Sequence, residues 1–437
     1  MCNVEGLPLR QGKPRPLPST DPLPIYLDYN ATTPLCDEAW EAMVSVRSSW
    51  GNPSSSHPYG LAAKFALEEA RRKISDAIHA ETPESIVFTS GGTEANNLAI
   101  IGGTSAVHER DPTRFRVIAT TVEHPAVEEV VKFLQLSNPL QKEESGLVTH
   151  RFPVDVTTGC VNPDQWRQLL LQLPGGPRSV ALVSVMHANN EIGSVNPIRE
   201  LVQLVKELCG AEVLFHTDAA QSIGKVPVDV SSLRVDFLSI CSHKFYGPKG
   251  VGALYVREGV PLQNILFGAG HERGIRPGTE NVMQVTGMAV ALHIACNNLS
   301  ENANRMQATR DELLRVIEEE LVKVGMRYVA NSDIRYSLPN TLNIALYKED
   351  RAGHPRYISA QRLIYSVGNQ VCMSAGSACH SSAQEVEVST PLKSVGVDLP
   401  RAIGTLRLST GRGTSVEEVR RAARIIVRHA AQQFGDV

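Results

Sequence analysis

Val235-Asp236-Phe237-Leu238-Ser239-Ile240, followed directly by Cys241-Ser242-His243-Lys244-Phe245-Tyr246-Gly247, is the stretch from which the fold can be read. Its first half is an apolar run with the composition of a buried strand, and a lysine stands at the exit. Burial disfavours the charged form of an amine, so a lysine at a strand mouth is suited to react as a free amine. Such an amine forms a Schiff base with a carbonyl cofactor, pyridoxal phosphate above all. A strand-end lysine is more often a plain surface charge, so the other segments must decide.

Upstream lies His216-Thr217-Asp218-Ala219-Ala220-Gln221-Ser222, after the apolar run Val213-Leu214-Phe215. A pyridoxal ring draws electrons only while its ring nitrogen stays protonated, and a buried carboxylate secures that proton. Asp218 fits the role, although an Asp after a strand also serves as a helix N-cap. Gln221, three residues on, can reach the phenolic oxygen beside the Schiff base. Earlier still, the strand Ile86-Val87-Phe88 leads into Thr89-Ser90-Gly91-Gly92-Thr93-Glu94. The Gly pair lets backbone N–H groups approach an anion, and Thr93 opens a helix whose dipole favours negative charge. Gly92 and Thr93 are therefore the expected phosphate cradle. His124 ends the strand Val117-Ile118-Ala119-Thr120, where an imidazole can stack on a pyridine ring and still move protons.

Taken together, these segments resemble the cysteine desulfurases and selenocysteine lyases, a class-V aminotransferase-like group of fold-type I pyridoxal phosphate enzymes. The resemblance runs from Ile25 to the last helix. It includes Tyr26-Leu27-Asp28-Tyr29-Asn30-Ala31-Thr32-Thr33-Pro34, His187-Ala188-Asn189-Asn190-Glu191, Gly270-His271-Glu272-Arg273-Gly274-Ile275-Arg276-Pro277-Gly278-Thr279, Ser377-Ala378-Cys379-His380-Ser381 and Leu406-Arg407-Leu408-Ser409. It implies that Lys244 is the Schiff-base lysine, that Asp218 pairs with the ring nitrogen and that His124 stacks on the ring. Gln221 and Asn190 would contact the cofactor or substrate near the phenolic oxygen. Gly92, Thr93 and His243 would hold the phosphate, with Thr279 reaching across from a second subunit of a homodimer. Arg407 would grip the substrate carboxylate, for which a planar fork of donors is the suitable partner. Many relatives carry a phosphate-binding serine where this chain has Cys241, and a thiol is a weaker donor. Either Ser242 compensates, or the phosphate has one contact fewer.

Cys379 lies in a small-residue segment, Met373-Ser374-Ala375-Gly376-Ser377-Ala378-Cys379-His380-Ser381. Such a segment has little to pack and suits a group that must travel, while His380 biases the thiol toward thiolate. The resemblance makes Cys379 the catalytic nucleophile, with Lys244 and His124 as its catalytic partners. Cys36, Cys160, Cys209, Cys296 and Cys372 read instead as buried structural thiols.

Length, charge and cysteine usage bound the rest. With 437 residues there is material for two full cores, and a net charge of −3 carries no basic stripe for nucleic acid. Eight cysteines show neither zinc-like pairing nor a disulfide framework, which points to the cytoplasm. No apolar run has membrane-spanning length. Residues 1–24 are rich in proline and polar groups, a disordered tail rather than a targeting helix. From Ile25 the alternation of apolar strands and amphipathic helices predicts an α/β fold. The resemblance implies a large domain, 25–280, with a mostly parallel seven-stranded sheet that binds the cofactor, its first segment packing on the other domain. A smaller α+β C-terminal domain, 281–437, carries the Cys379 loop.

The activity implied is decomposition of L-selenocysteine to L-alanine and selenide, with selenium held as a selenenyl sulfide on Cys379 and L-cysteine also turned over. Selenium or sulfur would pass to an acceptor protein. Lys244-Phe245-Tyr246-Gly247-Pro248, Leu266-Phe267-Gly268 and Arg276-Pro277-Gly278-Thr279-Glu280-Asn281 are similar to the eukaryotic selenocysteine lyases. The alternative is a dedicated cysteine desulfurase supplying persulfide sulfur for iron-sulfur clusters or tRNA. Another fold-type I aminotransferase or β-lyase ranks third, since those chemistries need no thiol.

Overall fold

The computed structural model describes residues 23–136, 147–378 and 387–435. Most of the tail expected at 1–24, the turn at Lys142 to Gly146, and both Cys379 and His380 lie outside the described residues.

Seven strands form the larger sheet: β1 (Ile86–Thr89), β2 (Arg116–Thr120), β3 (Val148–Phe152), β4 (Val180–Ser184), β5 (Leu214–Asp218), β6 (Phe237–Cys241) and β7 (Gly252–Val256). Their order is β1-β7-β6-β5-β4-β2-β3. All pairings are parallel except those of β7, which runs antiparallel to β1 and to β6. This is the expected mostly parallel, seven-stranded α/β sheet.

Side-chain alternation along the strands builds two cores, one on each face. Ile86, Phe88, Ile118, Val183, Phe215, Leu238, Ala253 and Tyr255 enter one cluster, with helix residues such as Leu67, Ile74, Leu201 and Leu292. Val87, Val117, Ala119, Leu182, Leu214, Phe237 and Leu254 enter the other, with Leu98, Ile100, Val127 and Val130. A sheet buried on both faces reads in sequence as unbroken apolar runs, and that is why these strands are legible.

The strand expected from Val235 starts two residues later, at Phe237. The reason is Asp236, fully buried, whose Oδ2 takes the Phe215 backbone N–H at 2.6 Å and Lys206 Nζ at 2.8 Å while Arg257 pairs with Oδ1. The carboxylate locks the turn into the strand instead of extending it.

A third cluster gathers Leu342, Ile344, Leu346, Leu406 and Leu408 with helix residues Leu313, Ile317, Val419, Ala423 and Ile426. It surrounds a second sheet: β8 (Arg327–Ala330), β9 (Thr341–Glu349), β10 (Pro355–Tyr357), β11 (Ser374–Ala375) and β12 (Thr405–Ser409). Ile25 and Leu27 also belong to this cluster, and Ile25–Tyr26 pairs parallel with Val371–Cys372. The first described segment thus runs from the C-terminal core toward the sheet edge where the cavity-lining polar residues collect.

Candidate active site

The C-terminal ends of the parallel strands open onto a cavity of about 550 Å³, the usual place for a ligand in an open α/β sheet. Ser90, Gly91, Gly92 and Thr93 reach it after β1, His124 after β2, Asp218, Ala220 and Gln221 after β5, and Cys241, His243 and Lys244 after β6. Asn30, Asn190 and Arg407 close it from the other side. Residues scattered over most of the sequence therefore face one space.

Lys244 Nζ donates to the backbone oxygens of Asn30 and Ala31, each at 2.8 Å. Burial pushes its pKa below the usual lysine value, and the nearby Arg407 cation acts in the same direction against the opposing pull of Cys241. Asp218 is buried at the cavity wall, its Oδ2 taking Asn96 Nδ2 at 2.8 Å and its Oδ1 the Ala220 N–H at 2.9 Å. Both partners are neutral, so the carboxylate's charge is held in place rather than cancelled.

His124 Nδ1 accepts the Ala126 N–H at 3.1 Å. The neutral ring then carries its proton on Nε2, and burial lowers the ring's pKa so that this neutral form prevails. For the ring to take up a proton, Nδ1 must first leave the Ala126 N–H. His243 has its Nδ1 3.0 Å from Thr32 Oγ1, with its pKa pushed down to about 4 by burial and by the cations Lys244 and Lys249.

Gly92 begins a continuous helical stretch through Arg110, wound wide at Leu98–Gly102. Its first turn leaves backbone N–H groups without intrahelical partners at the cavity. A Cβ at Gly92 would stand 3.2 Å from Cys241 Cβ, so glycine keeps the cradle open. The phosphate role expected for Ser242 is corrected by this geometry. Ser242 is fully buried, its Oγ has no hydrogen-bond partner, and a Cβ at Gly247 would strike that Oγ at 2.2 Å. Successive side chains at a strand exit point to opposite faces, so Cys241 lines the cavity and Ser242 does not.

Arg407 projects from β12. Its terminal nitrogens donate to Asp28 Oδ1 at 2.7 Å, Ser374 Oγ at 3.1 Å and the Asn190 backbone oxygen at 3.0 Å, while its buried Nε has no partner. The flanks of the segment that holds Cys379 are tied to the same region. Ser377 and Ala378 pair antiparallel with Val388 and Glu387. Ser389 Oγ donates to Glu191 Oε1 at 2.5 Å, next to Asn190, and burial pushes that carboxyl up to about 7.

Thr279 is exposed and does not line this chain's cavity. The loop before it is pinned by Glu272, whose buried carboxylate pairs with Arg71 at 2.8 Å and takes the Phe88 N–H at 2.9 Å. Breaking such a buried pair from one side costs about 3–5 kcal/mol. Arg276 then clasps Glu94 at 2.7 Å.

Four contributors escape a reading of motifs. Asn96 supports Asp218, Asp28 supports Arg407, and Lys249 lines the cavity. Asn30 is the centre of a separate network: its backbone oxygen receives Lys244 and Gln221, its Oδ1 receives Lys225 and Asn340, and its Nδ2 donates to Thr341 Oγ1. Asn30 and Asp28 stood in a quoted motif, but nothing local marks a residue whose partners lie more than a hundred positions away.

The residues present fit pyridoxal phosphate: a cradle of N–H groups kept open by glycine, a buried carboxylate with only neutral partners, and a partly buried lysine of lowered pKa on the same cavity. Comparison with known proteins agrees. The family model described as aminotransferase class-V matches residues 25–422. The chain is 38% identical over 397 residues to the cysteine desulfurase IscS of Dictyoglomus turgidum, covering 90% of this chain and 91% of that one. It is 36% identical over 410 residues to the cysteine desulfurase NifS of Azotobacter vinelandii, covering 93% of each. Among solved structures, a NifS-like protein superposes with a TM-score of 0.78 at 32% identity, covering 93% of this chain and 99% of that one. The structure of SspA in complex with cysteine gives 0.69 at 29% identity, covering 90% of this chain and all of that one (100%).

Proposed function

The chain belongs to the class-V aminotransferase family, and on that premise we propose that it is a cysteine desulfurase, converting L-cysteine to L-alanine and leaving the sulfur as a persulfide on Cys379. The observation that carries this reading is the convergence of Lys244, Asp218, His124 and Arg407 on one cavity, with the flanks of the Cys379 segment tied to its rim. The named relatives support desulfuration of cysteine ahead of the selenocysteine reading, which rests on motif resemblance alone.

Pyridoxal phosphate, when bound, supplies an aldehyde for the substrate amine and a ring that delocalises the electron pair left at Cα. The protein's own groups do the rest. Gly92, Thr93 and His243 hold the phosphate, and Asp218 keeps the proton on the ring nitrogen. Arg407, with Nε free and its terminal nitrogens braced by Asp28, takes the substrate carboxylate. Lys244 moves the Cα proton, a role its lowered pKa favours. Cys379 thiolate attacks the substrate Sγ. The new S–S bond forms as the Sγ–Cβ bond breaks with its electron pair passing to Cβ, which is then protonated to the methyl group of alanine. His124 stacks on the ring, and it can take the proton of the incoming thiol once Nδ1 leaves the Ala126 N–H.

A second reading, selenocysteine lyase, is favoured by Phe245 after the lysine and Pro277 after Arg276. Anaerobic assay of alanine release from L-cysteine and from L-selenocysteine separates the two. A higher kcat/KM for cysteine supports the desulfurase, and a higher value for selenocysteine replaces it with the lyase.

The working unit we propose is a homodimer that passes its sulfur to an acceptor protein. Trp50 and Tyr59 stack at 5.1 Å on the surface, and Leu61 and Phe65 stand exposed one turn apart on the helix Pro58–Ala77. A bare aromatic surface of this kind suits a second copy. Cytoplasmic residence is supported by six free cysteines among the described residues. Among those residues no single helix is long and apolar enough to cross a membrane.

A further inference from the structure

Lys225 is a buried lysine for which the chemistry above has no use. It is 5% exposed, and its Nζ donates to Gln221 Oε1 at 2.8 Å and to Asn30 Oδ1 at 3.1 Å. Gly224 makes the contact possible: at φ +74 it turns the chain back so that Lys225 lies beneath Gln221, and a Cβ there would meet Ala295 Cβ at 3.0 Å.

Both acceptors are amide oxygens. An ammonium buried among neutral acceptors pays heavily for desolvation, whereas a neutral amine has two N–H groups, matched here by two acceptors. Burial lowers its pKa well below the usual lysine value, and the cations Lys244 and Arg407 act in the same direction.

A glutamine amide has an oxygen end and a nitrogen end of nearly equal size, and its neighbours decide which faces where. Lys225 Nζ presents hydrogens to the amide, so the oxygen of Gln221 must turn toward it. At the other end Gln221 Nε2 donates to the Asn30 backbone oxygen at 2.9 Å, the same oxygen that receives Lys244. One N–H of Nε2 remains for the cavity that Gln221 lines.

We propose that Lys225 is a positioning residue: it holds the Gln221 amide with its nitrogen, not its oxygen, toward the phenolic oxygen of the bound cofactor. This rests on the pyridoxal phosphate reading of the cavity. A donor on the phenolic oxygen stabilises the form in which that oxygen bears the most charge, and so lowers the pH at which the lysine-bound cofactor loses its proton.

The test follows the visible absorbance of the purified holoenzyme through a pH titration. Lys225→Met keeps the buried chain and removes the donors, and the titration midpoint should rise by about one pH unit. Gln221→Ala should produce the same rise, and adding Lys225→Met in that background should change nothing more. A wild-type midpoint in either single variant, or a further rise in the double variant, overturns the proposal. If Lys225→Met does not fold, Gln221→Glu carries the test. Its carboxylate keeps an oxygen toward Lys225 but has no N–H for the Asn30 backbone oxygen or for the cavity, so the midpoint should rise. An unmoved midpoint overturns the proposal. Wild-type protein without a visible cofactor band would refute the reading of the cavity itself, which is distinct from a normal band with an unresponsive Lys225 variant.

Discussion

Asn96 and Asp218, 122 positions apart in the chain, meet at the cavity wall, where Asn96 Nδ2 donates to Asp218 Oδ2 at 2.8 Å. Asn96 sits on the helix that opens with the phosphate cradle, and Asp218 ends the central strand β5. One hydrogen bond therefore links the helix that opens at the proposed phosphate cradle to the carboxylate proposed to face the ring nitrogen. Asn96→Leu keeps the volume and removes the donor. A hydrogen bond to a charged group contributes about 1.5–3 kcal/mol, so cofactor affinity should fall roughly tenfold or more. Reconstitution of apoenzyme with pyridoxal phosphate measures it, and unchanged affinity would remove Asn96 from the site.

Lys244→Ala should lose both turnover and the visible band of the bound cofactor. Among the described residues the other lysines near the cavity are Lys249, which lines it, and Lys225, which is directed to Gln221 and Asn30. A variant that keeps the band and releases alanine would transfer the role elsewhere.

Cys379→Ala should abolish alanine release from L-cysteine, because the Sγ–Cβ bond needs an attacking thiolate. Activity on L-selenocysteine should fall but persist in part, since selenium is bound to carbon more weakly and ionises at neutral pH. Full activity of the variant on cysteine would discard Cys379 as nucleophile.

Glu123 predicts a pH effect on stability. Burial pushes its carboxyl from 4.5 up to about 8, and the nearby Asp218 charge adds to the rise. Between those values the folded state holds one proton more than the unfolded state, so stability from this group is lost as pH rises through the folded pKa. Glu123→Gln is neutral throughout and keeps the oxygen that accepts from Thr120 Oγ1 at 2.7 Å and the Met186 N–H at 2.9 Å. On going from about pH 5 to about pH 8, its Tm should fall less than that of the wild type. Parallel melting curves of the two proteins would refute the assignment.

Light scattering at assay concentration should return the mass of two chains. Replacing Trp50 and Phe65 together by Asp should shift the protein toward monomer and lower turnover, since Thr279 lies outside its own chain's cavity. A fully active monomer would end both the dimer and the role proposed for Thr279.

The order of the chemistry-bearing segments, the strand preceding each and the mostly parallel sheet were determined by sequence alone, because a sheet buried on both faces writes itself as contiguous apolar runs. Lys244, Asp218, His124 and Gly92 were legible for the same reason, each standing where such a run ends. Which side chains turn into the cavity was not. Cys241 and Ser242 are neighbours with similar credentials, and only the direction of the β6 exit separates them. The partners were not legible either: Asn30 to Thr341, Asp28 to Arg407 and Lys225 to Asn30 are hydrogen bonds between distant segments, formed only where tertiary packing excludes water and brings them together. Local pattern places a residue on an element, whereas the protonation of Lys244, the tautomer of His124 and the orientation of the Gln221 amide follow from burial and neighbours that only the folded chain supplies.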